Sequence, residues 1–333
     1  MKADIIKRLF KAIYTEDIIS LKKIAQTIIN EERKLGHNVL ADALEKITFT
    51  EKPKFAIFGD RPYQHQNGNG AGLSSLPISK RSNSPLAAFV PREQLKHHMV
   101  LPTEVEERLI SIEKEYAAKE RLGKYNLLPK RKILLHGAPG CGKTLSAERM
   151  AWNLGLPLLK VRFDALLSSY FGESATNLRA VFDFCAKEPV VLLLDECDFI
   201  AKSRITPQDV GEVPRIVNML LTLLDEYDAP GLVIATTNLK VTLDEALFRR
   251  FDDVIEIPMP DDTAREKLLT MTLSAIPVSP ELNIAEVAQS LEGYSSANIV
   301  LIAQRAAKHS VLEGGKKVEK RHFDRAIAEG SKF

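Results

Sequence analysis

The sequence predicts an α/β fold: a parallel sheet sandwiched by helices, a C-terminal helical lid domain after it and a small N-terminal helical domain before it. Three observations carry this expectation. Apolar runs of strand length at 132–136, 156–163, 190–194, 232–235 and 254–258 alternate with segments of helical periodicity, the pattern of strands joined by crossover helices. Beyond Pro260 the strands cease, and 262–275, 283–290, 295–312 and 319–329 read as helices. The first fifty residues hold helical spacing only.

In chain order, Ile5, Ile6, Leu9, Phe10 and Ile13 share one apolar face, and Ile18, Leu21, Ile24, Ala25, Ile28 and Ile29 continue at helical spacing until Gly36. Val39, Leu40, Ala43, Leu44 and Ile47 begin a third helix. Such helices serve either to recognise a partner or only to pack on the main domain. From Pro53 to Pro91 periodicity disappears into an Asn/Gly-rich and then Ser/Pro-rich stretch, which reads as a flexible linker with 55–58 and 86–90 as short docking segments. Thr103 and Glu106 have the spacing of a capping box, and Val105, Leu109, Ile112 and Tyr116 line the helix that follows. The expected boundaries are an N-terminal helical adaptor at 1–50, a linker at 51–95, a large α/β domain at 96–260 and a helical lid at 261–333.

The first strand of the large domain ends in Gly137-Ala138-Pro139-Gly140-Cys141-Gly142-Lys143-Thr144, followed by Leu145 and a helix-forming segment. This is the strand, glycine loop and helix of a P-loop NTPase. The glycines let the backbone turn tightly, so that successive N–H groups and a helix N-terminus face phosphate oxygens. Residues Gly137 to Leu145 are therefore expected to bind ATP, with Lys143 reaching the β- and γ-phosphates and the Thr144 hydroxyl on Mg²⁺.

A buried-type strand at 190–194 ends in Asp195 and Glu196. Acids at the end of a parallel strand reach the edge of the sheet where ligands bind, so Asp195 is expected in the Mg²⁺ shell and Glu196 to polarise a water toward the γ-phosphate. The next apolar strand ends in Ala235-Thr236-Thr237-Asn238, where the Asn238 amide can hold that water without adding charge. Arg249 and Arg250, adjacent between apolar residues, are either surface ion-pair formers or fingers offered to a neighbouring subunit's nucleotide.

Composition limits the alternatives. With 45% hydrophobic and 27% charged residues and a formal net charge of +2, nothing general points to a membrane or a nucleic acid. The basic run Lys316, Lys317, Lys320, Arg321 is interrupted by Glu319 and Asp324 and reads as a solvated helix face. No apolar run reaches membrane-spanning length and the N-terminus is amphipathic, so a cytoplasmic location is expected. The three cysteines form no CxxC pair and read as reduced thiols. Of these, Cys141 stands beside a helix N-terminus, a position that can lower a thiol pKa.

In order and spacing, GAPGCGKT, LLLDE, ATTN, LDEALFRRFDDVIEI and Leu291-Glu292-Gly293-Tyr294-Ser295-Ser296-Ala297-Asn298 resemble the AAA family of hexameric ATPases, in its subgroup with two arginine fingers. The resemblance covers roughly residues 100 to 330. It implies a homo-hexameric ring with ATP at each subunit interface, Asn238 as first sensor, Arg249 and Arg250 acting in trans, and Gly293 and Ala297 near the nucleotide from the lid. Leu224-Asp225-Glu226-Tyr227 stands where the family has its intersubunit signalling segment, with Asp-Glu-Tyr in place of the usual Asp-Gly-Phe. Tyr170-Phe171-Gly172 is similar to the family's first pore loop, which grips a polypeptide in the central channel, although an aromatic pair there can also pack in a core. The segment 203–212 would supply a second, polar pore loop. The helical N-terminus with Glu31-Glu32 and Gly36-His37, the Val100-Leu101-Pro102 entry and the single ATPase module also resemble a narrower bacterial group encoded beside a subtilisin-like serine protease, with roles in plasmid incompatibility or antiphage defence. That likeness implies such a protease as partner.

Overall fold

The computed structural model describes residues 76–79, 84–167, 173–198, 212–238, 248–315 and 317–330, together with residues 27, 29, 30 and 33. The chain divides into the compact units Met1–Gln64 and His65–Phe333. In the first, Thr27, Ile29, Asn30 and Arg33 are helical and Ile29 is buried. The rest of the expected N-terminal helices, the Asn/Gly-rich stretch, the candidate pore loops at 170–172 and 203–211 and the segment 239–247 lie outside the described residues.

The second unit is built on a six-stranded sheet. Its strands are β1 (Ala87–Val90), β2 (Lys132–His136), β3 (Leu158–Val161), β4 (Val191–Leu194), β5 (Leu232–Thr237) and β6 (Asp253–Glu256), in the spatial order β1-β3-β4-β5-β2-β6. All pairings among β2 to β6 are parallel. Every residue of β4 and β5 is buried, which is why these segments read as continuous apolar runs: helices cover both faces of the sheet.

At one edge the parallel sheet gains an antiparallel strand. β1 pairs antiparallel with β3, with Ala87 opposite Val161 and Val90 opposite Leu158. Ala87–Val90 falls in the stretch expected to be linker, so the sheet begins ahead of residue 96. Its four residues stand between Pro85 and Pro91 with only Ala87 fully buried, and the pairing that makes them a strand lies about seventy residues downstream.

Helices α1 (Thr103–Ala117) and α2 (Lys119–Gly123) precede β2, and α3 (Lys143–Leu154) follows the glycine loop. Short α4 (Phe163–Leu167) and then α5 (Ser174–Lys187) follow β3, and α6 (Glu212–Asp225) leads to β5. Val105, Leu109, Ile112 and Tyr116 are the buried face of α1, as their spacing requires. The capping box does not form. Pro102 occupies the N-cap, Thr103 is already helical, and the Glu106 carboxylate instead takes a forked pair of hydrogen bonds from the Arg149 guanidinium on α3. An intramolecular ion pair of that geometry outcompetes a local cap.

The lid comprises α7 (Asp262–Thr272), α8 (Ile284–Ser290), α9 (Ser296–Leu312) and α10 (Lys320–Gly330) around a core that includes Leu269, Leu291, Ile299, Ala303 and Phe323. Asp261, Asn283 and Ser295 cap the first three of these helices through side-chain oxygens. Among the described residues no helix is long and apolar enough to cross a membrane.

Candidate functional site

The glycine loop joins the end of β2 to the first turn of α3 and holds three glycines with positive φ, Gly137, Gly140 and Gly142. Gly137 has φ +148°, and a Cβ there would stand 2.2 Å from the Ile257 carbonyl oxygen just past β6. Gly140 has φ +76°, and a Cβ there would meet Ser295 Oγ at 2.7 Å and Ala297 Cβ at 3.2 Å. The loop is thus wedged between the sheet edge and the start of the lid helix α9. The Ala297 N–H donates to the Gly140 carbonyl at 2.9 Å. Gly293, in a left-handed turn ahead of α9, has nothing within 4 Å of a Cβ position, so the lid meets the loop through Ser295 and Ala297.

Lys143 is buried at the first position of α3 and donates through Nζ to the Gly137 and Ala138 carbonyls at 2.9 and 2.8 Å. Burial pulls its ammonium below the usual lysine range, and Cys141, Asp198, Asp195 and Glu196 hold it back up in that order. Its side chain is curled over the loop carbonyls, leaving a third ammonium proton for a phosphate oxygen.

Beside it, β4 delivers Asp195. Its Oδ1 accepts from Thr144 Oγ1 at 2.8 Å and from Thr236 Oγ1 at 2.7 Å, and its Oδ2 accepts from Lys160 Nζ at 2.6 Å. Burial pushes this carboxyl up, but the hydrogen bonds from Lys160, Thr236 and Thr144 outweigh it and leave the group below the ordinary carboxylate range. Glu196 follows with φ +55°, a left-handed backbone that costs a non-glycine residue about 1 kcal/mol. Its N–H donates to Thr236 Oγ1 at 2.9 Å, and its side chain is exposed. One buried hydroxyl, that of Thr236, therefore fixes both acids.

At the end of β5, Asn238 is held by Asp198. The Asn238 N–H donates to Asp198 Oδ1 at 2.8 Å and its Nδ2 donates to Oδ2 at 3.0 Å, while Thr237 Oγ1 donates to Oδ1 at 2.7 Å. With its amide nitrogen committed, Asn238 offers its amide oxygen. Burial raises the Asp198 pKa and these hydrogen bonds, helped by Lys143, bring it below the ordinary range.

Sequence reasoning missed Lys160, Thr236 and Asp198 as members of this cluster. Asp198, three residues after Asp195 in Asp-Glu-Cys-Asp, carried a signal that passed unread. Sequence reasoning singled out Val100-Leu101-Pro102 ahead of α1 but not the contacts of the strap they end. There the His97 ring stacks on Trp152 of α3 with centroids 4.0 Å apart and planes 9° apart, Met99 lies against Gly142 and Ser146, and Val100 packs on the lid core.

Cys141 does not have the lowered pKa that its place at a helix N-terminus suggests. It is buried, its thiol donates to Met259 Sδ at 3.3 Å, and burial raises its pKa more than Lys143 lowers it. Burial likewise pushes Cys185 up to about 12 and raises Cys197, so all three are protonated, unpaired thiols.

The two arginines are not part of this cluster. They precede β6, whose first residue Asp253 pairs with Ile133 near the start of β2, whereas the glycine loop follows the end of β2. Arg249 and Arg250 therefore stand at the opposite edge of the sheet, about 10 Å or more from their own P-loop by strand rise alone. There Arg250 Nε donates to Asp225 Oδ2 at 3.0 Å, and Arg179 pairs with Glu226 at 3.4 Å.

Among the described residues no cluster of three or more His, Cys, Asp or Glu could hold a metal by itself. The adjacent Thr144 hydroxyl and Asp195 carboxylate suit an ion such as Mg²⁺, which takes one or two protein oxygens and draws the rest of its octahedron from phosphates and water.

A phosphate loop at a sheet switch point, two acids on the next strand but one and a helical lid touching the loop define a P-loop ATPase with a lid domain. The family model for the ATPase family associated with various cellular activities (AAA) matches residues 133–259. The chain is also 35% identical over 329 residues, 98% of its own length and 94% of the relative's, to an uncharacterised AAA family ATPase of Sinorhizobium fredii. It belongs to the AAA family, a membership that brings nucleotide binding and ATP-driven activity.

Proposed function

We propose that this protein is a Mg²⁺-dependent ATPase subunit of a homo-hexameric ring that unfolds or remodels polypeptides by drawing them through a central pore. The observation that best supports this is the division of one active site between two edges of the sheet. The P-loop, Asp195, Glu196 and Asn238 gather at one edge, and Arg249 and Arg250 lie toward the other. A site divided in this way becomes whole only when a second copy supplies the arginines.

In this reading Gly137 to Leu145 hold the phosphates and Lys143 neutralises the β- and γ-oxygens. Thr144 and Asp195 hold Mg²⁺, which when bound draws charge from the phosphates. Glu196 accepts the proton of a water aligned by the Asn238 amide oxygen. That water attacks the γ-phosphorus, and ADP with inorganic phosphate leaves. Arg249 and Arg250 of the next subunit stabilise the charge on the transferring group, while Gly293 and Ala297 carry the nucleotide state to the lid. Tyr170, Phe171 and Gly172 form the pore loop, the helices at 1–50 act as adaptor and the stretch after them as linker. The large domain to 260 and the lid at 261–333 form the motor. By likeness to the narrower bacterial group, the partner is a subtilisin-like serine protease acting with the ring in antiphage defence in the cytoplasm.

The test is Glu196→Gln in the full chain. ATP binding should persist and hydrolysis should fall at least a hundredfold, and a wild-type rate would sink the assignment. Tyr170→Ala should keep ATPase activity and lose work on a substrate captured by the Glu196→Gln ring. If ATP-bound Glu196→Gln instead activates its partner fully, the protein is a nucleotide-gated switch rather than a threading motor.

A further inference from the structure

The carboxylate expected to hold the metal already has a cation on it. Lys160, in the middle of β3, donates to Asp195 Oδ2 at 2.6 Å. The opposite oxygen, Oδ1, receives the Thr144 and Thr236 hydroxyls. Asp195 is therefore oriented without Lys160, and what the lysine adds is charge. The Lys160 side chain is 43% exposed against 10% for Asp195, so the ammonium reaches the carboxylate from the solvent side and can leave into water on its flexible stem.

An ammonium at hydrogen-bond distance from Oδ2 and a divalent ion bound through Asp195 would stand within a few ångströms of each other, where like charges repel strongly. The two are alternatives. We propose that Lys160 is an internal counter-cation of Asp195 that Mg²⁺ must displace, a positioning residue that sets the magnesium concentration at which the nucleotide site becomes complete. The inference rests on the reading of Thr144 and Asp195 as the metal's ligands.

The experiment is the binding of a fluorescent ADP to the full chain across a magnesium titration, with binding in EDTA as reference, for wild type, Lys160→Met and Lys160→Arg. Methionine keeps the length of the stem and removes the charge, while arginine keeps the charge. Lys160→Met should reach half-saturation at about tenfold less magnesium, and Lys160→Arg should stay within about twofold of wild type. A Lys160→Met protein needing as much magnesium as wild type, or more, overturns the proposal, as does a Lys160→Arg protein that behaves like Lys160→Met. Should Lys160→Met fail to fold, Lys160→Gln reads the same loss of charge. Wild-type binding that ignores magnesium would overturn the metal reading itself, and would do so before either variant is compared.

Discussion

Arg250 donates to Asp225 at 3.0 Å, joining the turn three residues ahead of β6 to the last residue of α6 at the edge of the sheet away from the P-loop. The Asp225 side chain is 54% exposed, and a surface pair of this kind contributes at most about 1 kcal/mol to folding. In the proposed ring, what the pair contributes is the aim of a guanidinium at a neighbouring subunit.

Asp225→Asn should therefore leave the melting temperature almost unchanged and slow hydrolysis by the assembled protein, with ATP binding intact. Arg250→Ala should reduce the rate by about 10³-fold or more. Mixing Arg250→Ala with Glu196→Gln subunits, each inactive alone, should restore part of the activity, because some interfaces then pair an intact Glu196 with an intact Arg250. A mixture as inactive as its components would mean that Arg250 acts within its own subunit.

Thr236 is the hinge of the acid pair. It is 1% exposed, accepts from the Glu196 N–H and donates to Asp195. Thr236→Val preserves shape and removes both bonds, leaving a backbone donor without its partner. The expected cost is about 1 to 3 kcal/mol of stability by denaturant titration, with a fall in turnover beyond what lost folded protein explains. Equal turnover per folded molecule would show that the backbone of Glu196 holds without it.

The lid touches the phosphate loop at Gly140, so Gly140→Ala is a test of their coupling. Positive φ costs an alanine about 1 to 2 kcal/mol, and its Cβ would press on Ser295 Oγ. Nucleotide affinity should drop about tenfold or more in an equilibrium titration. Adding Ser295→Ala should recover only the steric part. Full recovery would mean that the backbone conformation is incidental.

Acid should loosen the Asp198 clasp before it loosens the core. The carboxyl titrates below its unfolded value, so its contribution is whole above the ordinary carboxylate range and is lost as pH falls through the folded pKa. The stability gap between wild type and Asp198→Asn should be constant near about pH 6 and close as pH drops below about 4. A gap independent of pH would assign the effect to shape rather than charge.

How much of this was legible in the sequence follows from where the interactions lie. The strands at the centre of the sheet are buried on both faces, so their apolar runs announce them. The glycine loop and the acid pair are contiguous motifs whose local geometry follows from residue type. β1 was hidden because four residues acquire strand character only by pairing with β3. Lys160, Thr236 and Asp198 were hidden for a related reason: each joins the site by a hydrogen bond from one strand end to another, and no local spacing records that neighbourhood. The failed capping box has the same origin, since Glu106 is claimed by Arg149 from a different helix.

Glu196 holds its left-handed backbone with a side chain that gains nothing from it structurally. Glycine at that position would relieve the conformation and abolish the carboxylate in one substitution. A laboratory selection for thermal resilience alone would be drawn to this codon and, on the proposed mechanism, would return a sturdier protein that no longer turns over ATP. Any search for a hardier variant must therefore count phosphate as well as heat.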